Sequence, residues 1–258
     1  MFSVIFPGQG SQSVGMAKEL YDKYDYIKKL FKSADDTLGY SISKIILEGP
    51  KQDLDLTENT QPAIFLASYS ICEMIKKESN INLEKAKYFA GHSLGEYSAL
   101  VCSGSLSIDR AAFLLNERGK SMQDAVPIGE GAMMAILGMS IEEIENEINL
   151  MSKNEVCEIA NDNSNGQVVV SGKKKVIENL SKKLKEKKKK GILLPVSAPF
   201  HCSLMKKAAD VMKDKIENTN FLKPVPSIIS NVTAKEETDV NKIKPLLIDQ
   251  ITSRLRWR

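Results

Sequence analysis

Five consecutive residues, Gly91-His92-Ser93-Leu94-Gly95, have the spacing of a nucleophile elbow, a serine between two glycines on a sharp strand-to-helix turn. Such a turn raises the Ser93 hydroxyl at the end of a sheet. The following helix aims its first N–H groups at the same spot and favours a developing oxyanion. A serine hydroxyl is a weak nucleophile at neutral pH and needs a base. The chain has two histidines, His92 and His201. His92 adjoins the serine on the tight turn, so its side chain should diverge from the hydroxyl. That leaves His201, in Ala198-Pro199-Phe200-His201-Cys202, against the alternative of a structural histidine. Cys102 and Cys202 are the fallback nucleophiles.

Two further features stay open on residue chemistry alone. Loop 6–12, Phe6-Pro7-Gly8-Gln9-Gly10-Ser11-Gln12, follows the first expected strand. It is either an ordinary turn or, because its glycines let backbone amides approach a ligand, half of an oxyanion hole. Arg118, late in an expected helix, is either a surface cation or a planar fork for a carboxylate.

These residues need a frame. With 258 residues, 42% of them hydrophobic, the chain can bury one large domain, or one domain with an insertion. A net charge of +3 argues against a dedicated nucleic-acid binder. Cys72, Cys102, Cys157 and Cys202 are scattered without metal-ligand spacing, which predicts free thiols in a reducing compartment and no bound metal. The N-terminus lacks the pattern of a signal peptide, and no apolar run is long enough to span a membrane, so the expected location is the cytoplasm.

Short apolar runs alternate with helical patterns, which predicts an α/β fold. Strands are expected at 3–6 and 87–90, and helices at 60–77, from about Glu96, and at 108–125. From Gly129 the pattern becomes strand 132–137, helix 141–151, strand 156–161, strand 167–171, helix 174–189 and strand 192–196. That β-α-β-β-α-β order predicts a ferredoxin-like domain inserted at 129–197, with 1–128 and 198–258 forming the larger domain. Ser140 and Glu143 form an expected capping box, and Ser164-Asn165-Gly166 an expected tight turn. The basic run 182–190 is either a solvated helix face or a docking surface for an acidic partner.

FPGQGSQ at 6–12, GHSLGEYSAL at 91–100, RGKSMQDAVP at 118–127, QVVVSG at 167–172 and PFHCSLM at 199–205 occur together and in order. In this the chain resembles the malonyl-CoA:acyl carrier protein transacylases, and is similar to acyltransferase domains of polyketide synthases. The resemblance implies an α/β-hydrolase-like large domain, a ferredoxin-like small one and a site in the cleft between them. It implies Ser93 as nucleophile and His201 as base, the latter oriented by the Gln250 carbonyl. The amides of Gln9 and Leu94 would form the oxyanion hole, and Arg118 would hold the malonyl carboxylate. Gln61 and Gln167 match pocket-lining positions, and Phe200 matches a bulky position associated with malonyl over branched acyl groups. Malonyl-CoA would be the substrate, acyl carrier protein the partner and a monomer the working form, with no tightly bound cofactor. The family usually continues past the Gln250 region with a further strand, a Gly-Pro-Gly turn and a helix. This sequence stops at Arg258 and has Ser253-Arg254 where the family has Ser-Pro, so a bare sheet edge is expected. The competing expectations are a serine thioesterase or hydrolase, and an inactive carrier-protein binding module.

Overall fold

The computed structural model describes residues 1–151, 155–196 and 198–258. The chain divides into two compact units. One comprises residues 1–120, 215–230 and 235–244, and the other 121–214, 231–234 and 245–258. Its elements run β1 (Val4–Phe6), α1 (Lys18–Lys23), α2 (Asp25–Leu38), α3 (Ile42–Glu48), α4 (Lys51–Leu54), α5 (Thr57–Glu78), β2 (Phe89–Gly91), α6 (Gly95–Cys102) and α7 (Ile108–Asp124). There follow β3 (Gly131–Leu137), α8 (Ile141–Asn149), β4 (Cys157–Ser164), β5 (Gln167–Lys173), α9 (Lys174–Glu186), β6 (Lys190–Leu193) and α10 (Lys206–Glu217). The chain ends with β7 (Ile228–Ile229), β8 (Glu236–Glu237), α11 (Val240–Asp249) and β9 (Leu255–Arg256). Among the described residues no helix is long and apolar enough to cross a membrane.

The first unit holds a sheet of order β1-β2-β7-β8. β1, β2 and β7 are parallel, and β8 runs antiparallel to β7. β1 and β2 pair from Val4↔Phe89 to Phe6↔Gly91. That register ends both strands at the same sheet edge, so loop 6–12 and the elbow leave it side by side. In open α/β sheets this carboxyl end is where ligands bind. Helices α1 to α4 have no counterpart in the sequence-based expectations. α2 is amphipathic, with Ile27, Phe31 and Ala34 buried along one stripe, and it stops at Gly39, whose φ of 74° suits a C-terminal glycine. It packs with Ile42, Ile46 and Leu54 against Ala63 and Leu66 of α5.

The second unit follows the expected β-α-β-β-α-β order. Its sheet runs β6-β3-β5-β4-β9. β3 pairs antiparallel with β5 and β6, and β4 antiparallel with β5. The apolar stripes of α8 and α9, among them Ile144, Ile177, Leu180 and Leu184, share a core with Met134, Ile136, Ile159, Val168 and Val170 of the sheet. The capping box forms in both directions: Glu143 N–H donates to Ser140 Oγ at 3.2 Å, and Ser140 N–H donates to Glu143 Oε2 at 2.7 Å. Asn165 and Gly166 make the tight turn, with Gly166 at φ 83°.

Three expectations shift. β6 begins at Lys190 rather than Ile192, because Lys188 adopts a φ of 56° and ends the helix early, and Lys190 already pairs with Leu137. β4 extends to Ser164 because the turn holds it against β5 to Gln167. The second unit also takes in more than residues 129–197, whose last residue, Ser197, lies outside the described residues. β9 pairs in parallel with β4 through Asn161↔Leu255 and Asp162↔Arg256. Gly131 lies against Pro199, where an added Cβ would sit 2.3 Å from the proline Cδ.

Candidate active site

In the first unit, β2 runs into residues 91–95 and α6 starts at Gly95. Ser93 sits at φ 55°, in the left-handed region, where a non-glycine residue is strained and a functional reason is worth seeking. Each flanking glycine has a steric cause. A Cβ on Gly91 would lie 1.8 Å from the Gly95 carbonyl oxygen. A Cβ on Gly95 would lie 2.7 Å from the carbonyl oxygens of both Phe6 and Pro7. The turn is locked by hydrogen bonds from Gly95 N–H to the His92 carbonyl at 2.9 Å and from Glu96 N–H to the Ser93 carbonyl at 3.0 Å.

Loop 6–12 lies directly against the elbow. His92 N–H donates to the Phe6 carbonyl at 3.0 Å, and a Cβ on Gly8 would lie 2.7 Å from His92 Nδ1. The loop closes on itself through Gly10 N–H to Gln12 Oε1 at 2.8 Å and Ser11 Oγ to the Gly8 carbonyl at 2.9 Å. Among the described residues no acceptor is found for the N–H of Gln9 or of Leu94. Uncommitted backbone amides are what an oxyanion requires, and Leu94 directly follows Ser93 in the elbow.

Arg118 is only 1% exposed. Its Nη1 donates to Gln61 Oε1 at 2.7 Å and its Nη2 to Ser93 Oγ at 3.1 Å. The guanidinium carbon stands 5.9 Å from the centroid of the Tyr97 ring, within cation–π range. Burial pulls the Arg118 pKa below its ordinary value, while Tyr97 and Glu96 act in the opposite direction. Burial pushes Tyr97 up to about 12, so it faces the cation as a neutral phenol. The surface-cation alternative for Arg118 is therefore excluded. Glu96 and Tyr97, buried at 1% and 0%, are parts of this setting that sequence reasoning missed. Their signal was present in GHSLGEYSAL, two polar-tipped residues within one helical turn of the nucleophile.

What brings Arg118 to Ser93 is close packing of α7 on the first turn of α5. A Cβ on Gly119 would lie 2.5 Å from Glu58 Cα. One turn earlier, Asn116 Nδ2 donates to the Glu58 carbonyl and to Tyr40 Oη, both at 3.0 Å. Tyr40 Oη in turn donates to Asn59 Oδ1 at 2.8 Å.

In the second unit, His201 is 4% exposed, at φ 58°. Its Nδ1 lies 2.8 Å from the Gln250 carbonyl oxygen. A carbonyl only accepts, so Nδ1 carries the proton and Nε2 presents the lone pair of a base. The Gln250 carbonyl directly follows α11, where helix dipoles favour a positive charge on the imidazole. Phe200 is buried beside His201 in the chain, while Gln167 is exposed at the β4–β5 hairpin end, paired with Leu137 and Ser164. The fallback nucleophiles are unsuited to the task. Burial pushes the Cys202 thiol up to about 11 and the Cys102 thiol well above its ordinary value, so neither supplies thiolate at neutral pH.

A serine held at a positive φ on an elbow, with a buried guanidinium on its hydroxyl, is an arrangement suited to acyl-transfer chemistry. Over residues 3–245 the sequence matches the acyl transferase domain family, and the chain belongs to that family. It is 42% identical to the malonyl CoA-acyl carrier protein transacylase of Haemophilus influenzae, over 99% of this chain and 82% of that protein. The acyl-carrier-protein S-malonyltransferase of Bartonella henselae superposes with a TM-score of 0.95 at 41% identity, covering 100% of this chain and 82% of that one. A malonyl-transacylase solved in complex with its type II polyketide acyl-carrier protein superposes at 0.94, with 37% identity and coverage of 99% and 82%.

Proposed function

We propose that the protein transfers a malonyl group from malonyl-CoA to the phosphopantetheine thiol of an acyl carrier protein, in fatty-acid synthesis, through a malonyl ester on Ser93. The observation that carries this reading is the Arg118 guanidinium, buried and 3.1 Å from Ser93 Oγ. In malonyl-serine one methylene separates the ester carbonyl from the carboxylate, so a cation that reaches Oγ also reaches that carboxylate.

In the first half-reaction Ser93 Oγ attacks the thioester carbonyl and His201 Nε2 takes the hydroxyl proton. The amides of Gln9 and Leu94 receive the oxyanion. The carbon–sulfur bond breaks, and the imidazolium returns the proton to the CoA sulfur. The second half runs the same steps with the carrier-protein thiol as nucleophile, giving ping-pong kinetics. Each step exchanges one acyl linkage for another, and no tightly bound cofactor takes part.

The finer architecture belongs to the same proposal. The large unit is α/β-hydrolase-like, supported by an elbow between a parallel strand and a helix. The small one, inserted at 129–197, is ferredoxin-like, supported by its strand order. Gln61 positions Arg118, and Gln167 contributes to the substrate surface. Phe200 fills the space that an α-methyl group would need, a margin of about 1–3 kcal/mol. The protein works in the cytoplasm as a monomer with acyl carrier protein as its partner.

The test is intact-mass analysis after mixing with malonyl-CoA, followed by addition of carrier protein. A malonyl adduct on Ser93 that moves to the carrier thiol is expected. Release of free malonate faster than carrier loading would make the protein a hydrolase instead.

A further inference from the structure

Arg118 is placed to do more than bind a carboxylate, because it holds the hydroxyl of the proposed nucleophile itself. The hydroxyl of Ser93 has one proton and two lone pairs. Attack on a thioester needs a lone pair aimed at the carbonyl carbon while the proton goes to a base. In the structure Arg118 Nη2 donates to Oγ at 3.1 Å, engaging a lone pair and drawing electron density from the oxygen. Ser93 is 9% exposed and Arg118 1%, so water competes poorly for this bond. Nη1 is tied to Gln61 Oε1 at 2.7 Å, which fixes the guanidinium plane.

A guanidinium is rigid and planar, and it meets a carboxylate through two parallel N–H groups. A carboxylate received across the Nη1 and Nη2 edge competes with Gln61 and Ser93 for the two nitrogens that now serve them. We propose that Arg118 caps Ser93 in the resting protein, and that an acyl group with a terminal carboxylate removes the cap by drawing the guanidinium onto itself. Discrimination between malonyl and acetyl then lies in the state of the nucleophile as well as in affinity. An acetyl thioester reaches the site but meets a serine whose oxygen is still held. The inference rests on the proposed role of Ser93 as the acylated residue.

Two measurements on the full chain test it. The first is the rate of Ser93 modification by phenylmethanesulfonyl fluoride, an uncharged reagent, followed by intact mass. Oγ bonds to sulfur, fluoride leaves and the hydroxyl proton passes to the base. Arg118→Met keeps most of the side-chain volume and removes the donors. It should raise this rate by about tenfold, the worth of one hydrogen bond from a charged donor. An unchanged or lower rate in a folded variant overturns the proposal.

The second uses the unaltered protein and does not depend on the variant folding. Rapid-quench acylation should give a saturating rate about tenfold or more higher with malonyl-CoA than with acetyl-CoA. Equal saturating rates, with discrimination confined to the half-saturating concentration, overturn it. Complete absence of a malonyl adduct on Ser93 would instead remove the functional reading beneath it.

Discussion

A methyl group placed far from any substrate should change which acyl group this protein prefers. In Gly119→Ala the new Cβ would lie 2.5 Å from Glu58 Cα and 2.6 Å from the Thr57 carbonyl oxygen, where ordinary contact begins near 3.4 Å. Both neighbours are backbone, so rotating a side chain gives no relief, and α7 must move from α5 by about 1 Å. Arg118 is the adjacent residue on α7, and its bonds to Gln61 and Ser93 measure 2.7 and 3.1 Å. A shift of that size carries both toward or past the length at which a hydrogen bond counts. Misplacing a group by about 1 Å costs up to roughly a hundredfold in rate. Malonyl transfer should therefore fall about ten- to a hundredfold in kcat/KM. Acetyl transfer makes no use of the guanidinium and should hold or rise. The assay is carrier-protein loading from each thioester, with thermal unfolding to confirm a folded variant. Unchanged malonyl transfer, or equal losses for both substrates, would refute the view that the α5–α7 contact sets the carboxylate site.

Ser93→Ala should abolish the malonyl adduct in intact-mass analysis, and an adduct of normal yield would place the nucleophile elsewhere. Phe200→Ala should raise the ratio of methylmalonyl to malonyl loading about tenfold or more, because one methyl group is worth roughly 1–3 kcal/mol in such a pocket; competition between the two thioesters measures it directly. Ser140→Ala removes the acceptor for Glu143 N–H and should lower the stability of the second unit by about 1 kcal/mol. Denaturant midpoints would register that loss, and an unshifted midpoint would show that the cap contributes nothing.

The elements legible in the sequence were those whose signal is local. Gly91 and Gly95 marked the elbow because a turn this tight excludes a Cβ at either place, and that rule acts within five residues. Ser140 with Glu143, Asn165 with Gly166, and the alternating apolar strands gave the β-α-β-β-α-β order for the same reason. Helices α1, α3 and α4 escaped because they are short and lie among mixed polar residues, and Ile42, Ile46 and Leu54 gain meaning only once they close on α2 and α5. The stripe of Ile27, Phe31 and Ala34 on the longer α2, by contrast, was present in the sequence and went unread. The two-residue strands β7, β8 and β9 carry no periodicity at all. β9 exists because β4, some 94 positions earlier, offers a free edge to Leu255 and Arg256.

The site divides along the same line. Residue types alone indicated a serine nucleophile, singled out His201 from two candidates, and left Arg118 undecided between a surface charge and a carboxylate fork. Tertiary packing removed the surface option for Arg118, because the missing side chain at Gly119 lets two helices meet and carries the charge out of water onto Ser93 and Gln61. Local chemistry is written in neighbouring residues, whereas a buried charge takes its meaning from partners distant in sequence that only the folded chain assembles.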